Sequence, residues 1–126
     1  MLTYYNAVLI PARLFEGKLF TQVFCCSTKI HSFKDMYHLI GCDTIEHISV
    51  MIDHNHYDVW LDELGKVNHR PACVRVEQYN DVLVGNIIIT KGGDEYECFT
   101  DEELVAIQQW VYNARLDLYN RIQAYM

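Results

Sequence analysis

A chain of 126 residues, 51% apolar and 21% charged, is long enough to close one hydrophobic core without a metal or a disulfide scaffold. Its net charge of −7, with the ten Lys and Arg scattered from Arg13 to Arg121, argues against nucleic acid and anionic membrane surfaces as partners. No apolar run approaches the roughly 18 residues that span a bilayer, and the opening MLTYYNAVLIPARLF lacks a basic n-region and a cleavage site, so a cytoplasmic protein is expected.

Thr3 to Ile10 is apolar and β-prone and stops at Pro11, which reads as a first strand. Leu19 to Cys25 alternates after a turn at Gly17-Lys18 and reads as a second. Ser32 then opens a short helix, FKDMYHLI, closed by Gly41: the serine hydroxyl is expected to take an orphan N–H and the glycine to supply the left-handed exit. Phe33, Met36, Tyr37 and Ile40 give that helix one apolar face.

Thr44–Ile52 and Tyr57–Leu61 alternate on either side of Asp53-His54-Asn55-His56, the pattern of an antiparallel hairpin with a four-residue polar turn. Ile48, Val50 and Ile52 lie on one side of the first run and His47, Ser49 and Met51 on the other, and Tyr57, Val59 and Leu61 alternate with Asp58, Trp60 and Asp62 in the second. Gly65 in Asp62-Glu63-Leu64-Gly65-Lys66 is expected to take positive φ in the next turn. Ala72 to Tyr79 suits either a strand or a short helix. Asn80 to Thr90, NDVLVGNIIIT, has apolar residues on both faces and reads as a central strand covered above and below. Gly85 within it marks a bulge or a close backbone approach. A tight turn at Lys91-Gly92-Gly93-Asp94 leads to a short strand, Glu95 to Phe99.

Thr100-Asp101-Glu102-Glu103 has the spacing of a capping box. Leu104, Ile107, Val111, Ala114, Leu118, Ile122 and Tyr125 follow at intervals of three and four. They form an amphipathic helix of about 25 residues, roughly 37 Å long. Trp110, Tyr112 and Tyr119 widen its stripe, which either covers the chain's own sheet or, at its end, pairs with a second copy through Trp110, Leu118, Tyr119 and Ile122. The expected architecture is a single α+β domain. A mainly antiparallel sheet of five to six strands is packed by a short helix at about 32–41 and a long C-terminal helix at about 100–125.

Four segments carry a family resemblance: Leu39-Ile40-Gly41, Ile45-Glu46, Asp62-Glu63-Leu64-Gly65, and Asp81-Val82-Leu83-Val84-Gly85-Asn86. Their order and spacing resemble the domain of unknown function 3846 family over residues 17 to 92. The family's second glycine and aromatic are replaced here by Cys42-Asp43, and its Pro-Asn pair is rearranged to Asn68-His69-Arg70-Pro71. The resemblance implies no activity; it implies the setting of phages, conjugative elements and their bacterial hosts.

The chemistry is sparse. The five cysteines at 25, 26, 42, 73 and 98 contain no C-x-x-C and read as buried thiols in a reducing compartment. Asp53, His54, His56, His69 and Cys73 match no zinc spacing, and no metal or cofactor is expected. There is no nucleophile elbow or phosphate loop, and no catalytic residue is assigned. His47-Ile48-Ser49 occurs once, whereas phosphoesterases of that pattern need two histidines. Arg70, Arg75 and Arg115, with Asn86 and Trp110, are the candidate ligand-binding residues, since guanidinium forks grip phosphates and an indole stacks on a base. The leading expectation is a non-enzymatic binding protein that counters a host defence. It would do so by docking an acidic surface on a host protein, or as a homo-oligomer holding a nucleotide through its C-terminal helix. A small nucleotide or cyclic-phosphate hydrolase using His47, His54, His56 and Asp58, and a structural adaptor, are the alternatives.

Overall fold

The computed structural model describes residues 5–12, 26–92 and 97–124. The elements run β1 (Ala7–Ile10), β2 (Cys26–Thr28), α1 (Phe33–Ile40), β3 (Ile45–Ile52), β4 (Asn55–Asp62), β5 (Ala72–Val76), β6 (Asp81–Val84), β7 (Ile87–Lys91) and α2 (Asp101–Ala124). One turn of 3₁₀ helix, Glu77–Tyr79, links β5 to β6. The fold is α+β, as expected, but the strands divide between two sheets: a five-stranded antiparallel one in the order β2-β1-β7-β4-β3, and a two-stranded one, β5-β6.

The apolar run NDVLVGNIIIT is therefore not one strand. It breaks at Gly85, whose φ of +77° is a left-handed conformation closed to most residues. The Gly85 N–H donates to Pro71 O at 2.8 Å. The chain thus leaves one sheet as β6 and enters the other as β7. The expectation of burial on both faces holds for β7, where Ile87, Ile88 and Ile89 are all fully buried.

Strand alternation sends Ile88 to one side and Ile87 and Ile89 to the other. Ile88 joins Ala7, Ile30, Met36 and Ile40 beneath α1. Ile87 and Ile89 join a larger core with Val8, Val50, Val59, Val74, Leu83, Ile107 and Val111. The result is three layers: α1, the five-stranded sheet, then β5-β6 with α2. The helix covers its own chain with Ile107, Val111, Ala114 and Leu118 buried, at the spacing read from the sequence.

Thr100 and Glu103 make the capping box in both directions: Thr100 N–H to Glu103 Oε1 at 2.9 Å, and Glu103 N–H to Thr100 Oγ1 at 3.2 Å. Gly41 ends α1 at φ +78°. Ser32 occupies the N-cap position without a side-chain bond; instead Asp35 Oδ2 reaches back to accept from the His31 N–H at 2.7 Å. The hairpin turn is two residues, not four. Asp53 and His54, at φ +48° and +68°, form it, and Asn55 and His56 are already paired in β4. Gly65 does not take positive φ. It is needed for space, since a Cβ there would lie 2.8 Å from Val84 Cγ2 and 3.2 Å from Asp62 O. Leu19–Cys25 lies outside the described residues, as do Glu95 and Tyr96 of Glu95–Phe99, whose described part, 97–99, is irregular.

Burial alone would raise the Glu103 carboxyl, but the Thr100 N–H, the Lys91 ammonium and the Thr100 hydroxyl outweigh it and hold it below its ordinary value. A depressed folded-state pKa contributes stability above the unfolded value, which is lost as pH falls through the folded one. Glu103→Gln should therefore destabilise by about 1 kcal/mol at neutral pH, with the gap to the parent protein closing below pH 4.5 in urea titrations. Ile88→Ala, at a fully buried site, should cost about 3 kcal/mol by the same measurement.

Candidate functional site

Gly41 turns the chain sharply at the end of α1, and β4 ends nearby at Asp62. Between them lies a polar hollow of about 350 Å³ lined by Tyr37, His38, Cys42, Asp43, Asn68 and Arg70, together with Asp62. Asp62 is the buried charge in this lining, at 4% exposure. Its Oδ1 accepts from the Leu64 N–H at 2.9 Å, fixing the turn after β4. Its Oδ2 is buried without a hydrogen bond and faces Arg70 Nε as an ion pair at 3.4 Å. Arg70 Nη2 donates to Gly41 O at 2.6 Å, so a cation sits at the C-terminal end of α1, where the helix dipole favours it. Burial, and then the Asp62 carboxylate, push the Cys42 thiol above its ordinary pKa. That is the reverse of what activates a cysteine nucleophile.

Of the candidate ligand residues, Arg70 lines this hollow. Asn86 works beside it as a stitch: its Oδ1 accepts from the Ala12 N–H at 2.9 Å and its Nδ2 donates to Leu39 O at 3.3 Å. Arg75 and Trp110 meet elsewhere, at a smaller hollow of about 170 Å³ with Glu77, Asn113 and Asp117. Arg75 is 8% exposed and donates to Asp117 Oδ2 at 3.0 Å and to Asn80 Oδ1 at 2.5 Å. Arg115 is 2% exposed. It bonds Cys73 O at 3.3 Å and Pro11 O at 2.6 Å, clamping α2 to β5 and to the end of β1. The five residues do not converge on one pocket.

Among the residues proposed to join copies, Leu118 is buried within its own chain and Trp110 packs partly against the larger core. Tyr119 is partly buried, and the Ile122 side chain lies outside the described residues. The histidines of the hydrolase alternative sit on the hairpin. His47 stacks on Trp60 with centroids 4.5 Å apart. His56 Nδ1 lies 3.5 Å from Ser49 Oγ in an exposed pair, at the long limit of a hydrogen bond. His54 is in the turn. Among the described residues no three His, Cys, Asp or Glu side chains gather as metal ligands. Cys73 is buried, but Cys26 and Cys98 are exposed and Cys42 half-buried, against the expectation of uniformly buried thiols.

The sequence places Asp62 in a turn and does not mark it as a site residue. Its place in the Asp62-Glu63-Leu64-Gly65 motif, at the end of an alternating strand, was the available signal. The chain belongs to the Domain of unknown function (DUF3846) family, whose model matches residues 21–112. That match reaches into α2, which the motif-level resemblance left outside. No curated protein and no solved structure matches the chain. Among the described residues no helix is long and apolar enough to cross a membrane.

Asp62→Asn keeps the Leu64 bond but removes the charge that faces Arg70 and raises the Cys42 pKa. It should lower stability by about 1–3 kcal/mol and move the pH midpoint of Cys42 alkylation downward, read by mass spectrometry of the labelled peptide.

Proposed function

We propose that this protein is a non-enzymatic binding protein that docks on another protein. The setting is a phage or mobile element in its bacterial host, where docking would counter a host defence. The observation that carries this reading is the engagement of the arginines inside the fold. A nucleotide pocket needs guanidinium forks turned toward phosphates. Arg115 instead clamps backbone carbonyls, Arg75 holds Asp117 and Asn80, and Arg70 holds Gly41 and Asp62.

Of the α2 residues that would join copies around a nucleotide, Leu118 is buried in the chain's own core and Trp110 packs partly against it. With net charge −7, the molecule suits a basic face of another protein, and charge of opposite sign speeds and orients such an encounter.

Native mass spectrometry of the purified protein, with and without bacterial extract, tests this. The expected result is a species heavier by one protein subunit that dissociates as salt rises, with His56→Ala leaving capture unchanged. A retained mass of nucleotide size, or a homo-oligomer that Trp110→Ala and Tyr119→Ala disperse, would overturn it in favour of nucleotide sequestration.

A further inference from the structure

Among the described residues β3 is an outer strand of the five-stranded sheet, bonded to β4 alone. The two-residue turn makes Ile52 and Asn55 the first hydrogen-bonded pair, so Val50, Ile48 and Glu46 also direct their amides and carbonyls to β4. The backbone groups of Ile45, His47, Ser49 and Met51 therefore point off the sheet.

Two of those groups have partners. Ser49 O accepts from Tyr79 Oη at 2.6 Å, and the Met51 N–H donates to Gln78 Oε1 at 3.4 Å. The 3₁₀ turn thus shields the half of the edge nearest the hairpin, a familiar way to keep a strand from pairing with a stranger. No such contact covers Ile45 or His47 among the described residues.

Beside this open half lies a groove of about 230 Å³ between β3 and β6, with Ile48, Leu61, Val67, Val82 and Val84 among its lining. Val67 is 72% exposed. Glu46, Glu63 and Asp81 are also in that lining, with Lys66 as its cation, and Lys66 is paired to Asp81 at 2.5 Å. The groove is greasy inside and acidic at its rim.

We propose that the Ile45–Ile48 edge and this groove form the docking site for an extended segment of the partner protein, added as a sixth strand. This inference rests on the protein-docking reading above. Residues of the added strand opposite Glu46 and Ile48 fall on the groove side of the sheet. The segment therefore carries an apolar side chain for the groove and lysine or arginine next to it for Glu46 and Glu63. Main-chain bonds to His47 supply affinity and the groove supplies selectivity. A second copy of this chain is the wrong occupant, because it brings the same acidic rim against itself.

The test uses two fluorescein-labelled eight-residue peptides that carry threonine at every second position, to form one face, and leucine alternating with either lysine or glutamate on the other face. Anisotropy should show the lysine peptide binding at least tenfold more tightly than the glutamate one. Amide exchange by NMR should show the His47 N–H slowed at least tenfold on binding. His47→Pro removes an N–H that the sheet does not use, which edge strands tolerate; it should abolish binding and leave the melting temperature within a few degrees. Glu46→Lys, which leaves the backbone alone, should weaken binding at least fivefold and keeps the inference testable should the proline variant fail to fold. Equal binding of both peptides, no binding of either, or binding that leaves His47 exchange unchanged overturns the assignment. So does a peptide-free dimer with His47 already protected. A protein partner captured from extract that both variants still hold would defeat the edge assignment and leave the docking reading standing.

Discussion

Burial of β7 on both faces is the constraint from which the rest follows. Three consecutive isoleucines, Ile87 to Ile89, are fully enclosed, and consecutive strand residues must point to opposite sides. Two separate apolar layers are required to receive them. One is α1, with Met36 and Ile40 over Ile88. The other combines β5-β6 with α2, over Ile87 and Ile89. Each fully buried isoleucine contributes on the order of 2 kcal/mol through loss of apolar surface to water, so neither layer is dispensable.

That constraint shapes the surface as well. The positive φ at Gly85 diverts the chain from β6 into β7, placing a second small sheet beneath the first. The space between β3 and β6 becomes the apolar groove. The turn from Asp62 to Arg70 packs on the end of β6, Gly65 against Val84 and Arg70 against Gly85, and it carries Arg70 to Gly41 and Asp62. The polar hollow and the apolar groove share Asp62 in their linings, so the two surface features on this side of the molecule depend on one buried carboxylate and the turn it holds.

The arginines illustrate how tertiary structure redirects an apparent binding composition. A list of Arg70, Arg75 and Arg115 beside Trp110 suggests an anion pocket. In the fold, Arg115 closes the gap between α2 and the ends of β1 and β5, because the carbonyls of Pro11 and Cys73 need donors once buried. Arg75 ties β5 to α2 through Asp117. These roles are cross-links between layers, and a guanidinium with several donors is the side chain best suited to them.

Sequence alone determined the features that depend on near neighbours. The α2 capping box, the glycine exit of α1, the alternating hairpin and the enclosed isoleucines follow from spacing, because local hydrogen bonds and the two periodicities act within a few residues. At the start of α1 Ser32 makes no side-chain cap bond, while Asp35 holds the His31 N–H, a local bond that the capping position alone does not reveal. Tertiary structure decided what depends on distant residues. It split NDVLVGNIIIT between two sheets, made Gly65 a spacing residue against Val84, buried Asp62 beside Arg70, and left the outer edge of the first half of β3 without a backbone partner among the described residues. Each of these joins segments well apart in the chain, and no pattern within a short window encodes which strand will lie at an edge or which carboxylate will be shut away from water.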